Sequence, residues 1–245
     1  MKIYDILTLF PEIVLAPLRE SIVRRAQEKG LLKINVVNFR EYAKDRHRVV
    51  DDLPFGGGPG MVLKVEPISS AVRECLSRDS SARVILLSPQ GRRFDQEVAK
   101  RLAQEDHLIF ICGRYKGVDE RVRESLVTDE ISIGDYVLSG GEVPALVMVE
   151  ALVRLIPGVL GDEDSARGDS FYEGILEHPH YTRPAAFEGM EVPPILISGN
   201  HEDIRRWRRK EALRRTWTRR PELLEITPIS EEDVLLLKEI EREEN

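Results

Sequence analysis

Cysteine and long apolar runs are both scarce in this sequence. The chain of 245 residues has two cysteines, Cys75 and Cys112, and neither has a CxxC or other ligand-spaced partner. That pattern argues against a disulfide framework and a structural zinc site. No apolar run reaches the roughly 18 residues of a membrane span, and the first one, interrupted by Asp5, is too short for a signal peptide. We therefore predict a cytoplasmic protein with no membrane partner.

An excess of positive charge is also missing, since the formal net charge is −7. Residues 1–160 hold 23 Lys/Arg and 23 Asp/Glu, whereas residues 161–245 hold 13 against 20. Within that acidic part, residues 205–220 contain nine basic residues and one acid, and seven acids lie between Glu231 and Glu244. The overall charge argues against a nucleic-acid partner, but the local cluster favours one. The local pattern weighs more because phosphate contacts are short-ranged at physiological salt.

The first 160 residues alternate between strand-like and helix-like segments. The strand-like runs are KIYDILTL, KINVVNF, RVILLS, HLIFIC and ISIGDYVL. The helix-like segments are Glu12–Lys29, Glu66–Leu76, Asp95–Ala103 and Glu142–Leu155. This alternation predicts an α/β fold with a parallel sheet covered by helices.

A change of character follows residue 160. The stretch GDEDSARGDS, 161–170, has no large apolar residue and predicts a linker or mobile loop. The pattern is helical from Asn200 onward, and Asn200 with Asp203 resembles a capping box. We predict an α/β domain at 1–160, a flexible linker at 161–174 and a small, mostly helical domain at 175–245.

The stretch FGGGPGMVLK, 55–64, is unusually rich in glycine. It does not match a Walker A loop, because Val65 follows Lys64 where Ser or Thr is needed. It does not match GxGxxG either, because Met61 occupies the third glycine position. It is also too short to be a linker between the structured segments on either side. The remaining interpretation is a bent loop whose backbone approaches a ligand closely.

Three further glycine turns follow predicted strands, namely SPQGR at 88–92, CGRYKG at 112–117 and SIGDYVLSGGE at 132–142. Ligands of open α/β sheets bind outside the carboxyl ends of strands. The turn after the first strand, LFPE, has no glycine, which argues against a dinucleotide-binding domain. Each turn alone is also typical of an ordinary loop, but the three together indicate a pocket for a ligand without a triphosphate.

Seven ordered motifs, FGGGPGM, LSPQGR, CGRYKGVDER, SIGDYVLSGGE, HPHYTRP, SGNH and RRPELL, resemble those of the bacterial tRNA (guanine-N1)-methyltransferases, which are knotted SPOUT methyltransferases. The similarity covers essentially the whole chain. It implies a homodimer with active sites at the subunit interface. It also implies transfer of a methyl group from S-adenosyl-L-methionine to N1 of the guanosine immediately 3′ of the anticodon, with the tRNA anticodon stem-loop as partner.

The resemblance also implies a deep trefoil knot formed by the three late turns, which pattern reasoning alone would not propose. In the family these turns bind the methyl donor. The matching positions are Leu87, Ser88, Pro89, Gly113, Tyr115, Ser132, Ile133, Gly134, Asp135, Tyr136, Val137, Leu138, Gly140 and Gly141.

Methylation at guanine N1 requires removal of the N1 proton and stabilisation of negative charge at O6. The resemblance places the family's catalytic aspartate on Asp169 and its polarising arginine on Arg154. From the residues alone, a solvated linker acid is the favoured interpretation of Asp169, and only the resemblance makes it a catalytic base. Arg154 alone would be a charge that complements a helix dipole.

The resemblance places His47 and Asp51 near the target nucleotide, and it makes Gly58 and Gly60 part of a wall for the flipped guanine. Lys116 stands where the family usually has an acid, which puts a role for Mg²⁺ in doubt. His178 and His180 lack a third ligand nearby and make a poor zinc site, so no metal site is predicted.

The run IRRWRRKEALRRTWTRRPE, 204–222, is the predicted RNA-binding element. Its cations are also compatible with an ordinary solvated face. Interleaved Trp207 and Trp217 favour anchoring together with phosphate contact, for which we select Arg208, Arg209 and Arg215. Two alternatives remain, a non-catalytic RNA-binding dimer and a methyltransferase with another target base. The donor-site glycines argue against the first, and the full motif set argues against the second.

Overall fold

The computed structural model describes residues 1–161 and 168–244. It divides the chain into two compact units, Met1–Gly161 and Asp162–Asn245, called unit 1 and unit 2. Residues 162–167, part of the predicted linker, lie outside the described residues. Within the described ranges, no helix has both the length and the apolar character needed to cross a membrane.

A parallel sheet of five strands lies at the centre of unit 1. The strands of this unit are β1 (Lys2–Thr8), β2 (Leu32–Asn38), β3 (Asp51–Asp52), β4 (Val62–Leu63), β5 (Arg83–Arg93), β6 (His107–Cys112) and β7 (Asp129–Ser132). The sheet order is β2-β1-β6-β5-β7, and β3 pairs with β4 as a separate antiparallel ribbon. Every residue of β6 is buried, as expected for a strand covered on both faces.

Helices cover both faces of the sheet. They are α1 (Pro11–Leu18), α2 (Ser21–Glu28), α3 (Val65–Arg78), α4 (Gln96–Gln104), α5 (Glu120–Leu126) and α6 (Glu142–Val153), with a 3₁₀ helix at Phe39–Tyr42. Residues of α1, α2, α4 and α6 share one core. In it the rings of Tyr4 and Phe110 pack edge to face, with their centroids 5.9 Å apart. Residues of α3 and α5 share the other core. The predicted α/β class with a helix-covered parallel sheet is confirmed.

Three of the predicted elements of unit 1 are wrong in extent, and one of them is the strand RVILLS, which continues through a bulge to Arg93 as β5. The single helix at Glu12–Lys29 is two helices, α1 and α2, and Ser21 at the start of α2 has φ +50°, outside helical geometry. The strand ISIGDYVL ends at Ser132, where the Ser132 hydroxyl accepts a hydrogen bond from the Gly134 N–H at 3.2 Å and so starts a loop. Local hydrogen bonding by a serine side chain competes with strand pairing at this point.

Helix α5 was missed in the sequence, although a capping signal is present. The Asp119 side chain accepts a hydrogen bond from the Arg121 N–H at 3.0 Å at the start of this helix. An aspartate at that position is a strong helix-start signal. The helix has only one fully buried residue, Val122, so its apolar periodicity is weak.

Unit 2 is helical from Asn200 onward, as predicted. It contains a hairpin, β8 (Ala186–Phe187) and β9 (Met190–Glu191), a 3₁₀ helix at Pro194–Ile197, and helices α7 (His201–Arg219), α8 (Glu222–Ile226) and α9 (Glu231–Glu244). Leu213, Leu236 and Ile240 form its core. The predicted cap is present, because the Asn200 Oδ1 accepts hydrogen bonds from the backbone N–H groups of Glu202 and Asp203.

Candidate active site

A cavity of about 150 Å³ lies at the carboxyl ends of β5, β6 and β7. The three glycine turns of unit 1 form its wall. Every predicted donor-site residue except Asp135 lines it: Leu87, Ser88, Pro89, Gly113, Tyr115, Ser132, Ile133, Gly134, Tyr136, Val137, Leu138, Gly140 and Gly141. The wall also includes residues that were not assigned to the donor site, among them Gln90, Arg114, Lys116, Arg123 and Pro144. Several of these lie within or directly beside the quoted motifs, and that adjacency was the available signal.

The first glycine turn, at residues 88–92, is a bulge within β5 that pushes residues toward the cavity. Leu87 and Arg92 both align with Ile131 of β7, so residues 88–91 are looped out of the register. A Cβ at Gly91 would overlap the backbone nitrogen of Ile131, so only glycine fits there. The bulge therefore places Ser88 and Pro89 in the cavity wall.

Gly141 brings the third turn against the second. Its N–H donates a hydrogen bond to the Gly113 carbonyl at 2.9 Å. Its φ of −82° suits any residue, but a Cβ there would lie 2.7 Å from the Cys112 Cα. Close approach of two backbones therefore explains this glycine, rather than an unusual dihedral angle.

A buried ion pair lies beneath these turns. Glu142, which is 1% exposed, accepts a hydrogen bond from the Thr8 hydroxyl at 2.7 Å, and its other oxygen lies 3.2 Å from Arg114 Nη2. The Arg114 guanidinium stacks over the Phe10 ring at 4.3 Å. A Cβ at Gly140 would lie 2.5 Å from Arg114 Nε, so this glycine makes room for the ion pair. The pair joins the end of β1 to two of the cavity turns.

The same region holds Cys112 in its protonated form. Burial, reinforced by the Glu142 carboxylate, raises the pKa of the Cys112 thiol well above its usual value. A protonated and buried thiol is a poor nucleophile. We therefore assign Cys112 a packing role.

The glycine loop 55–64 has left-handed backbone at four positions, with φ +85° at Gly56, +78° at Gly57, +111° at Gly58 and +94° at Gly60. Its end is fixed to the turn after β6, because the Lys116 N–H donates to the Met61 carbonyl and the Leu63 N–H to the Gly117 carbonyl, each at 3.0 Å. The Lys116 side chain lies along Gly60, where a Cβ would be 3.0 Å from Lys116 Cγ. The loop therefore adjoins the cavity wall.

Two other predicted substrate residues flank this loop. Asp51 lies in β3, directly opposite Leu63 of β4. His47 is exposed, and its N–H donates to the Asp45 side chain at 3.0 Å. Phe55, at the start of the loop, has a fully exposed side chain. An exposed aromatic ring beside a glycine wall is suited to contact a flat ligand.

The two predicted catalytic residues belong to different units. Arg154 is the exposed C-cap residue of α6 in unit 1. Asp169 lies in a turn of unit 2, where its carbonyl accepts a hydrogen bond from the Tyr172 N–H at 3.2 Å. The Ser170 hydroxyl next to it accepts from the Glu177 N–H at 3.1 Å. Asp169 is therefore followed by a segment that is hydrogen-bonded within its own unit.

Acids of α9 neutralise much of the basic run on α7. Among the ion pairs are Arg205 with Glu232 at 2.9 Å, Arg209 with Asp233 at 2.7 Å, Lys210 with Glu243 at 2.7 Å, Arg206 with Glu239, and Arg214 with Glu243. The basic cluster and the acidic C-terminal cluster of the sequence are thus partners of each other. Most of the positive charge counted on this helix is already compensated.

Three arginines of α7 differ from these paired cations. Within the described part of the chain, no carboxylate forms an ion pair with Arg208, Arg215 or Arg219. Spacings of seven and four residues place these three on one helix face. Of the predicted tRNA contacts, Arg208 and Arg215 lie on this face, whereas Arg209 is bound to Asp233. The geometry therefore favours Arg208 and Arg215 for phosphate contact.

The Arg209–Asp233 pair predicts an acid-sensitive unit 2. Two Arg209 hydrogen bonds, opposed by burial and helped by Ser230, lower the pKa of Asp233 from 3.8 to about 2. Because the folded-state pKa is depressed, the stabilisation, about 2 kcal/mol, is present above the ordinary pKa and is lost as the pH falls toward about 2. We expect the free energy of unfolding, followed by tryptophan fluorescence, to fall less steeply with acid in Asp233→Asn than in the wild type. Glu231→Gln, an exposed acid of the same helix, should keep the wild-type slope; equal slopes in all three proteins would contradict this assignment.

Comparison with known proteins agrees with the motifs. The family model described as tRNA (Guanine-1)-methyltransferase TrmD matches residues 1–226. A tRNA (guanine-N(1)-)-methyltransferase of Dictyoglomus turgidum is 60% identical over 98% of this chain and 96% of its own length. Proteins of the same name from Moorella thermoacetica and Bacillus subtilis are 59% and 55% identical, over 98% and 99% of this chain and 97% and 100% of their own lengths. The chain therefore belongs to the tRNA (guanine-1)-methyltransferase family, and the predicted enzyme class, a methyltransferase, is confirmed.

Proposed function

We propose that this chain transfers the methyl group of S-adenosyl-L-methionine to N1 of the guanosine immediately 3′ of the tRNA anticodon. The supporting observation is the cavity formed by three glycine turns at the carboxyl ends of β5, β6 and β7, in a chain of this family. The names of its relatives support the reaction and the substrate class.

The cavity fits a donor of this kind. Backbone groups of the turns can hydrogen-bond an adenine, and Leu87, Ile133 and Leu138 provide apolar surface. Arg114, fixed by Glu142, and Lys116 offer cationic groups to a carboxylate. When bound, S-adenosyl-L-methionine supplies a methyl group on a positively charged sulfur. Lys116 stands where the family resemblance has an acid, so the proposal gives no role to a divalent ion.

We also propose that the three late turns form a deep trefoil knot. Contacts among them support it. Arg114 and Gly140 form an isolated antiparallel bridge, and the Gly141 N–H bonds to Gly113. The β5 bulge packs on β7 through Gly91. These contacts hold three distant chain segments together at one end of the sheet.

In the proposed reaction Asp169 accepts the N1 proton of guanine as N1 attacks the methyl carbon. The N1–CH₃ bond forms while the S–CH₃ bond breaks, and the sulfur keeps the electron pair as a neutral thioether. Arg154 stabilises the negative charge that develops at O6. The remaining requirement is alignment of N1, methyl and sulfur, which the cavity wall and the glycine loop provide.

The glycine loop is proposed as the wall of the target-base site. Its four left-handed glycines carry no Cβ, and the exposed Phe55 ring lies beside them. Extrusion of the target base from its stack is common in enzymes that modify bases. His47 and Asp51 flank the loop and are proposed to contact the same nucleotide.

Gly58→Val tests this wall. A Cβ at Gly58 meets no atom within 4 Å, but a valine resists φ +111°, so the loop is expected to change shape without disturbing the core. We expect kcat/KM for tRNA to fall at least about tenfold, while the donor Kd changes less than about twofold. Gly30→Val is the matched control, because Gly30 also has positive φ and open surroundings but lies in the turn before β2. A loss of donor affinity in Gly58→Val as large as its loss of kcat/KM for tRNA would contradict the assignment.

We propose a homodimer whose interface includes the exposed apolar residues of α1 and α6. Ile13, Val143 and Val147 are each at least 40% exposed, and Phe10 beside α1 is equally exposed. The two helices contact each other within unit 1, so these residues contribute to one apolar surface. Sedimentation of the wild type as a monomer at assay concentration would contradict this.

The proposed activity is tested with labelled S-adenosyl-L-methionine and two tRNA transcripts that differ only in the nucleotide 3′ of the anticodon. The transcript with guanosine should be labelled, and the transcript with adenosine should not. Mapping of the product should locate the methyl group at N1 of that guanosine. Equal labelling of both transcripts would refute the positional specificity, and no labelling of either would refute the activity.

A further inference from the structure

A second cleft, of about 400 Å³, lies wholly within unit 2. The extended segment 178–185 lines one part of it, and Leu196, Ile197 and Arg208 line another. None of its lining residues takes part in donor binding or proton transfer as proposed above. Its volume is typical of sites that bind small ligands.

Aromatic rings cluster at this cleft. The His178 ring lies 4.4 Å from that of His180 and 6.5 Å from that of Trp207, and Tyr181 lies 6.5 Å from Trp207. The Tyr181 side chain is 50% exposed and that of His180 is 65% exposed, so both rings are accessible. Exposed rings of this kind stack on bases that are not paired.

His178 adds a hydrogen-bond acceptor to the cleft. Burial is the main cause that lowers the pKa of His178 below its usual value, and the neighbouring His180 and Arg208 add to it, so the ring is neutral at neutral pH. Its Nδ1 donates to the Pro179 carbonyl at 3.0 Å, which fixes the tautomer and leaves Nε2 as an acceptor. A neutral acceptor suits a base amino group or a ribose hydroxyl.

Two arginines give the cleft its charge. Among the residues that the structure describes, neither Arg183 nor Arg208 forms an ion pair with a carboxylate, unlike Arg205 and Arg209 on the same helix as Arg208. A guanidinium without an internal partner beside stacking rings is an arrangement suited to a nucleotide with its phosphate.

We propose that this cleft binds one unpaired nucleotide of the tRNA substrate. The base stacks on Tyr181 and His180, and its phosphate pairs with Arg208 and Arg183. The inference rests on the proposed function for its substrate class. A base in a continuous duplex has both faces covered by neighbours, so the cleft selects a loop nucleotide over a stem nucleotide.

Trp207 provides a direct reporter, because the chain has only two tryptophans. In a Trp217→Phe background, tRNA should quench the Trp207 fluorescence, whereas a fully paired RNA duplex of equal length should leave it nearly unchanged. Ultraviolet crosslinking of the same complex should link peptide 178–185 to a loop nucleotide. Equal quenching by duplex, or crosslinks confined to stem nucleotides, would overturn the proposal.

Variants separate stacking from charge. Tyr181→Leu should raise the KM for tRNA about tenfold without changing its salt dependence, and Tyr181→Phe, which keeps the ring, should restore the wild-type KM. Arg208→Ala should weaken binding and reduce the slope of log affinity against log salt by about 1. Arg242→Ala is the charge-matched control, since Arg242 is an exposed arginine of unit 2 outside the cleft.

A wrong assignment of the cleft can be distinguished from a wrong proposed function. If the wild type methylates the guanosine transcript while Tyr181→Leu and Arg208→Ala keep the wild-type KM and salt slope, only the cleft assignment is wrong. If the wild type labels no tRNA, the function itself is wrong. Donor affinity should be unchanged in all these variants, and a melting temperature equal to that of the wild type excludes unfolding as the cause of any loss.

Discussion

Asp169→Ala is expected to lower the rate of methyl transfer by about 10²–10⁴-fold while the affinity for S-adenosyl-L-methionine stays unchanged. Without a base, the N1 proton of guanine stays in place as the methyl carbon is attacked, and a cationic product must form. The donor cavity lies in unit 1 and does not include Asp169. A single-turnover assay with saturating enzyme measures the methylation rate, and calorimetric titration measures donor binding.

Asp169→Asn tests whether the carboxylate itself matters. The amide keeps the size of the side chain but does not accept the proton. The methylation rate of Asp169→Asn should therefore be as low as that of Asp169→Ala. Glu225→Ala, an exposed acid of α8, controls for the loss of one negative charge in unit 2. A loss of only a few-fold in Asp169→Ala would remove this residue as the base.

Much of the sheet could be predicted because buried parallel strands have a simple signature. The runs RVILLS and HLIFIC are apolar on both faces, and both became central strands of the sheet. The bulge that extends β5 to Arg93 could not be predicted, because it depends on pairing with β7. Local periodicity indicates a strand, whereas its end is decided by the partner strand.

The charge pattern on α7 shows how a local count misleads. Nine cations at 205–220 and seven acids between Glu231 and Glu244 were both visible in the sequence. Considered together, they predict two helices paired by charge, and α7 and α9 are such a pair. Considered separately, the cations predict a phosphate-binding surface that includes residues already paired with carboxylates, such as Arg209.

The cavity wall was inferable from glycine turns, but the reason for each glycine was not. Gly140 leaves room for the Arg114–Glu142 pair, and Gly141 for the Cys112 backbone. Both reasons depend on Arg114 or Cys112, which precede these glycines in the chain by a whole helix and strand. No local sequence pattern therefore contains them. The roles of Arg154 and Asp169 came only from resemblance, because an arginine at a helix end and an acid in a polar stretch are common everywhere.

Gly141→Ala is expected to damage both stability and donor binding. Its dihedral angles suit alanine, so the whole effect comes from a Cβ placed 2.7 Å from the Cys112 Cα and 3.1 Å from the Gly113 nitrogen. Backbone atoms of a buried strand do not move aside as a flexible side chain does. Overpacking of this kind costs about 1–3 kcal/mol, or roughly 2–4 °C in melting temperature for each kcal/mol. Because Gly113 and Gly141 both line the cavity, the donor Kd should rise at least about tenfold.

Two glycines provide matched controls. A Cβ at Gly113 would lie no closer than 3.6 Å to any neighbour, so Gly113→Ala should melt within about 2 °C of the wild type. A Cβ at Gly161 meets nothing within 4 Å, so Gly161→Ala should match the wild type in both melting temperature and donor Kd. Calorimetric melting and titration with S-adenosyl-L-methionine measure the two effects. If Gly141→Ala melted like Gly113→Ala and bound the donor as tightly as Gly161→Ala, the close approach of the second and third turns would not be what requires glycine at 141.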